Sequence, residues 1–136
     1  MIAIIDYGVG NLFSLVSSLK KIGAEAVVTN EEAVIKAADK LMALGVHRMF
    51  ISMGGNGVLA AMEGAKLRLP NIPGNVVNTT GCGDAFMAAL VWAYLQGTDL
   101  ETTARAGLAA GSIAMESNET INPNMSAEAL INRMEQ

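Results

Sequence analysis

The chain is 136 residues long, half hydrophobic, with a net charge of −4 and no basic run. That length holds one domain with a real core and is too short for two ordinary ones; the charge argues against nucleic acid as a partner. A single cysteine excludes an internal disulfide and points to a reducing, cytoplasmic setting, and the longest apolar run, Ala85 to Leu95, is about half of a membrane span.

Met1 to Asp6 has no basic start and meets an acid early, unlike a signal peptide. Ile2 to Ile5 has the length and continuity of a buried strand. A turn follows at Gly8 and Gly10. It lacks the third glycine of a dinucleotide fingerprint. Leu12, Leu15, Val16, Leu19 and Ile22 repeat at helical spacing up to a stop at Gly23, and Ala26 to Thr29 reads as a second strand. The βαβ pattern predicts parallel pairing. Asn30 caps a helix with Glu31 and Glu32 in its first turn, ending near Gly45.

Arg48 to Met53 is a third strand. Gly54-Gly55-Asn56-Gly57 turns the chain, and Val58 to Met62 returns as an antiparallel hairpin. Lys66 to Leu69 adds a short strand, and 70–75 is loop. A glycine-rich loop, Asn78 to Phe86, then feeds a helix from about Gly83 to Gln96. Thr98-Asp99-Leu100-Glu101 has capping-box spacing and opens a helix to about Glu116. Ser126 caps a last amphipathic helix whose apolar face holds Leu130, Ile131 and Met134. Nine methionines read as core filler. His47 has no cluster of metal-binding partners, so no metal site is predicted.

The Asn78-Thr79-Thr80-Gly81-Cys82-Gly83-Asp84 loop carries the chemistry. Unpaired N–H groups at a helix start, on the positive end of its dipole, suit an anion, and Asp84 stands beside it. The plainer reading is a helix start with an acidic first turn. Cys82 is a small residue in a tight turn, or a thiol made more reactive by the helix N-terminus.

Three features in order give residues 31–136 a resemblance to the C-terminal part of the ribokinase-like (PfkB) family of sugar and nucleoside kinases. They are Phe50-Ile51-Ser52-Met53-Gly54-Gly55-Asn56-Gly57, the Asn78 to Phe86 loop, and a helix holding Ala109-Ala110-Gly111-Ser112. With Asn122-Pro123 downstream, the loop looks most like the pseudouridine kinase branch. Residues 1–30 resemble another family, through Ile4-Ile5-Asp6-Tyr7-Gly8-Val9-Gly10-Asn11-Leu12 and Gly23-Ala24-Glu25: the glutamine amidotransferase subunit of imidazole glycerol phosphate synthase.

The kinase resemblance implies ATP and Mg²⁺ as cofactors and Asp84 as the base that takes the substrate hydroxyl proton. It implies that Thr79, Gly81, Cys82 and Gly83 contact the phosphates, with the backbone of Gly81 to Asp84 as an anion hole. Ser52, Gly54 and Gly57 would line the nucleotide's phosphates and ribose, and Leu108 would lie near the base. Asn78 replaces the commoner Asp, which weakens any monovalent-cation site. Asn30-Glu31-Glu32-Ala33 does not reproduce the family's Asn-x-x-Glu motif. The amidotransferase nucleophile and its His–Glu partners have no counterparts here.

These readings predict one α/β domain over 1–136, three-layered and Rossmann-like. Its sheet is short and mainly parallel with one antiparallel hairpin, and its C-terminal half is ribokinase-like. The expected protein is an artificial recombinant that keeps a nucleotide- or phosphate-binding half without efficient catalysis. The alternatives are a purely structural chimera and a residual riboside kinase. An imperfect graft would leave apolar surface and favour at least a homodimer.

Overall fold

The computed structural model describes residues 2–5, 26–29 and 31–136. The Gly8–Gly10 turn, the expected helix through Leu12 and Ile22, the Gly23 stop and the Asn30 cap lie outside the described residues. Strands β1 (Ile2–Ile5) and β2 (Ala26–Thr29) pair in parallel, with Ile2 opposite Ala26 and Ile5 opposite Thr29. This is the pairing the βαβ pattern predicts.

Helix α1 (Glu31–Ala43) is followed by β3 (Arg48–Ser52), a 3-10 turn (Gly54–Asn56), β4 (Val58–Met62) and β5 (Ala65–Leu69). The last three strands form an antiparallel meander in the order β3-β4-β5, with Ser52 opposite Val58 and Val58 opposite Leu69. The expected single, mainly parallel sheet is therefore not what the described strands form. They make a parallel pair and a separate antiparallel sheet. The links explain this: residues 53–57 and 63–64 are too few for the crossover of a dozen or more residues that parallel neighbours require.

Helices α2 (Cys82–Leu95), α3 (Leu100–Ala114) and α4 (Ala127–Met134) complete the chain. The expected capping box is shifted by one residue. Asp99, not Thr98, caps α3, its carboxylate accepting the Thr102 N–H at 2.7 Å. Thr98 instead donates its hydroxyl to the Ala93 carbonyl at 3.0 Å. Ser126 caps α4 as predicted, accepting from the Ala129 N–H at 3.1 Å.

Strand β4 is the buried centre of its sheet. Its pleat divides the core. Val58 and Ala60 join Phe86, Leu90 and Leu108 in the main apolar cluster. Leu59 joins Ile51, Met53 and Ala38 of α1 in a second one. Alanines and Gly107 let α2 and α3 approach closely: Phe86, Ala89, Leu90 and Ala93 pack with Ala104, Ala106 and Leu108. Helix α2 is apolar nearly all round, so its far side leaves Met87, Val91, Tyr94 and Leu95 exposed. No helix among the described residues is long and apolar enough to cross a membrane.

Candidate functional site

The site is built around the start of α2. Gly81 is the N-cap, with φ 85° and ψ −7°, in the left-handed region. A Cβ there would come within 2.5 Å of the Thr120 carbonyl oxygen, so the loop before α2 lies hard against the segment after α3. Asn78 shapes the approach. Its Oδ1 accepts the Thr80 N–H at 3.0 Å and its Nδ2 donates to the Asn118 carbonyl at 3.3 Å.

The Cys82 N–H donates to the Thr79 carbonyl at 3.3 Å, and the Ala85 N–H to the Gly81 carbonyl at 2.9 Å. The intervening amides, of Gly83 and Asp84, meet no acceptor among the described residues and stand where a helix start attracts an anion. A Cβ built on Gly83 meets nothing within 4 Å.

The second wall is the β3–β4 turn. The Met53 N–H donates to the Gly57 carbonyl at 2.8 Å, and the Gly57 N–H to the Gly54 carbonyl at 3.1 Å. Gly57 has φ 88°, and a Cβ there would fall 1.9 Å from the Leu69 carbonyl oxygen. Only glycine fits that position.

Between these walls lies a cleft of about 410 Å³. It gathers Ser52, Gly54 and Gly57 from the turn, Thr79, Cys82 and Gly83 from the loop, and Leu108 from α3. Residues that sequence reasoning did not assign to the site also line it: Asn71, Val76, Phe86 and Met115. Met115 had a structural signal only, since its carbonyl accepts the N–H groups of Val77 and Asn78 at 2.8 and 3.1 Å.

Asp84 and Gly81 are not on this cleft. They line a larger, mainly apolar cavity of about 620 Å³ on the other side of the helix start, with Ala88, Trp92, Met125 and Leu130. The loop is thus a partition, with Gly83 facing one space and Asp84 the other.

Burial, acting first, pushes the Cys82 thiol above its ordinary value, and its backbone hydrogen bond only partly opposes this. Desolvation of the thiolate thus works against the thiol activation suggested by its place at a helix start. The residues lining the cleft include no Lys, Arg, Asp or Glu. Backbone amides, the hydroxyls of Ser52 and Thr79 and the Asn71 amide are its polar groups, and its apolar groups suit a flat ring. No cluster of three metal-ligating side chains occurs among the described residues.

Comparison with known proteins finds relatives of two kinds. Pseudouridine kinase of Escherichia coli is 32% identical over 109 residues, which is 79% of this chain and 35% of that enzyme. Imidazole glycerol phosphate synthase subunit HisH of Methanothermobacter thermautotrophicus is 54% identical over a short stretch of 46 residues, 34% of this chain and 23% of that protein. The Arabidopsis thaliana ribokinase solved with ribose and ATP superposes with a TM-score of 0.68 at 22% identity. That likeness, one of fold, covers 90% of this chain and 51% of the ribokinase. The chain spans about a third of the length of the kinase relative and a quarter of the amidotransferase one. The sequence profile described as pfkB family carbohydrate kinase matches residues 1–127, reaching through the stretch that resembles the amidotransferase. With that match running over most of its length, the chain belongs to the pfkB family of carbohydrate kinases.

Proposed function

We propose that the 410 Å³ cleft binds the phosphates and base of a nucleotide such as ATP, and that the chain as it stands transfers phosphate poorly or not at all. The observation that carries this is the split across the α2 start. Seven of the residues expected to touch nucleotide line one cleft, while the expected base, Asp84, lines another space. Phosphoryl transfer depends on positioning, and the residues lining the nucleotide cleft include no carboxylate to serve as base.

The residues present fit a nucleotide in kind. Gly83 and Gly55 leave room for phosphate beside the backbone, and Val76, Leu108 and Met115 offer apolar contact to a base. With no cationic side chain on the cleft, Mg²⁺ carried on the nucleotide would supply the charge that phosphates need. Affinity should therefore be weak and Mg²⁺-dependent.

In this reading residues 31–136 are the kinase-derived part. Residues 1–30 are an amidotransferase-like start, joined to it in one recombinant α/β domain. The pairing of β1 with β2 supports a βαβ start, a form that α/β proteins of many kinds share. Calorimetry with ATP and ADP, with and without Mg²⁺, tests the cleft. Binding heat that grows with Mg²⁺ supports the reading, and no heat at millimolar nucleotide sinks it. Rapid ATP turnover lost in Asp84→Asn would overturn the claim of poor catalysis.

A further inference from the structure

The C-terminal helix carries a guanidinium with no place in the cleft itself. Arg133, in the last turn of α4, is forked onto Glu116: Nη1 donates to Oε1 and Nη2 to Oε2, both at 2.9 Å. Nη1 also donates to the Ser112 hydroxyl at 2.7 Å. That hydroxyl, on a fully buried residue of α3, donates onward to the Pro73 carbonyl at 3.0 Å. Glu116 Oε1 accepts the Asn75 N–H at 3.3 Å. The loop runs so close that a Cβ on Gly74 would meet Ser112 Oγ at 2.7 Å.

We infer that Arg133 is a positioning residue for the cleft, acting through Glu116 and Ser112 on the loop of residues 73–78. This rests on reading the cleft as a nucleotide site. The network ends where the cleft wall begins. Asn75 precedes Val76, which lines the cleft, and Glu116 follows Met115, which lines it too. Val77 and Asn78 then hang from the Met115 carbonyl, so the loop leading to Thr79 and Gly83 is suspended from the last turn of α3.

A two-pronged guanidinium–carboxylate contact fixes direction as well as distance, which a single ammonium cannot do. Both side chains are largely covered, at 17% and 29% exposure, so solvent screens the pair less than a pair on open surface. Arg133 therefore holds the C-terminal end of α3 in the one orientation from which its backbone carries the loop.

The test compares the unchanged full chain with Arg133→Gln and Arg133→Lys at a temperature where all three are folded. Amide exchange at Val77 and Asn78 should quicken roughly tenfold in Arg133→Gln, with amides of β4 unchanged, because a local rather than global opening is released. ADP affinity, by calorimetry, should weaken several-fold in the same variant. Lys should fall between the two for both measurements. Exchange at Val77 and Asn78 that stays put, or that rises only in step with β4, overturns the inference, as does ADP affinity unchanged in Arg133→Gln. If the unchanged chain gives no ADP heat, the nucleotide reading fails on its own, and the exchange comparison still decides whether Arg133 holds the loop.

Discussion

The ring of Phe86 lies directly on Gly107. A Cβ added to Gly107 would come within 2.7 Å of Phe86 Cε2 and 3.1 Å of Leu90 Cδ2. Phe86 and Leu90 are themselves buried, so neither can swing into solvent at low cost. Gly107→Ala gains roughly 1 kcal/mol of helix propensity and loses about 1–3 kcal/mol to overpacking. The expected outcome is a lower midpoint of chemical unfolding. A midpoint equal to or above that of the unchanged chain would mean that α2 and α3 separate more readily than their packing implies.

Two glycines that do line the cleft, Gly57 and Gly83, should respond in opposite ways. Gly57→Ala places a methyl on the Leu69 carbonyl, at a backbone angle that side chains avoid, and should prevent stable folding. Gly83→Ala puts its methyl into open space at the first turn of α2. It should leave stability unchanged or raise it by up to about 1 kcal/mol, while weakening nucleotide binding by crowding the anion position. Thermal unfolding and nucleotide calorimetry on the pair separate the two roles. Undiminished nucleotide affinity in Gly83→Ala would remove that residue from the site.

What was legible in the sequence was what is local. Four turn-forming residues, Gly54 to Gly57, between two apolar runs specified the β3–β4 hairpin, and Ser126 specified the start of α4. The cleft was largely legible too, because its walls are a hairpin turn and a helix-start loop, both written in consecutive residues. Less legible were facts that depend on rotation or on contact between distant segments. Nothing in Gly81-Cys82-Gly83-Asp84 states that Gly83 faces one space and Asp84 another. That follows from how α2 is turned by Phe86 against α3. Glu116 and Arg133 sit 17 residues apart across an irregular stretch, and no periodicity links them. The antiparallel placement of β5 was within reach, since a two-residue link at 63–64 permits no parallel partner.

The Glu116–Arg133 contact makes stability depend on pH. The guanidinium bonded to Glu116 holds its carboxyl below the usual carboxylate range, helped by the Asn75 N–H and opposed by burial. A carboxyl whose folded value is depressed adds stability that is fully present above its unfolded value, near 4.5. That contribution disappears as pH falls through the lower folded value. Glu116→Gln should therefore unfold at a lower denaturant concentration than the unchanged chain at neutral pH, and the gap should close progressively below about pH 4.5. A gap that persists undiminished in acid would show that shape, rather than charge, accounts for the contact.

Cys82 offers a chemical probe of the same cleft. It starts α2, where a helix dipole favours thiolate, while burial raises the thiol above its ordinary 9.0. Only the thiolate attacks an alkylating agent, so a raised value leaves little reactive species at neutral pH. Iodoacetamide should modify Cys82 several-fold more slowly than free cysteine near neutrality, and the rate should still be climbing at pH 9 and beyond. Because Cys82 lines the cleft beside Gly83, saturating ADP with Mg²⁺ should slow modification further. Slow reaction with no protection by nucleotide would place the nucleotide elsewhere. Reaction as fast as free cysteine would show that the helix start outweighs burial, and that the amides of Gly83 and Asp84 exert a stronger field than the enclosed thiol suggests.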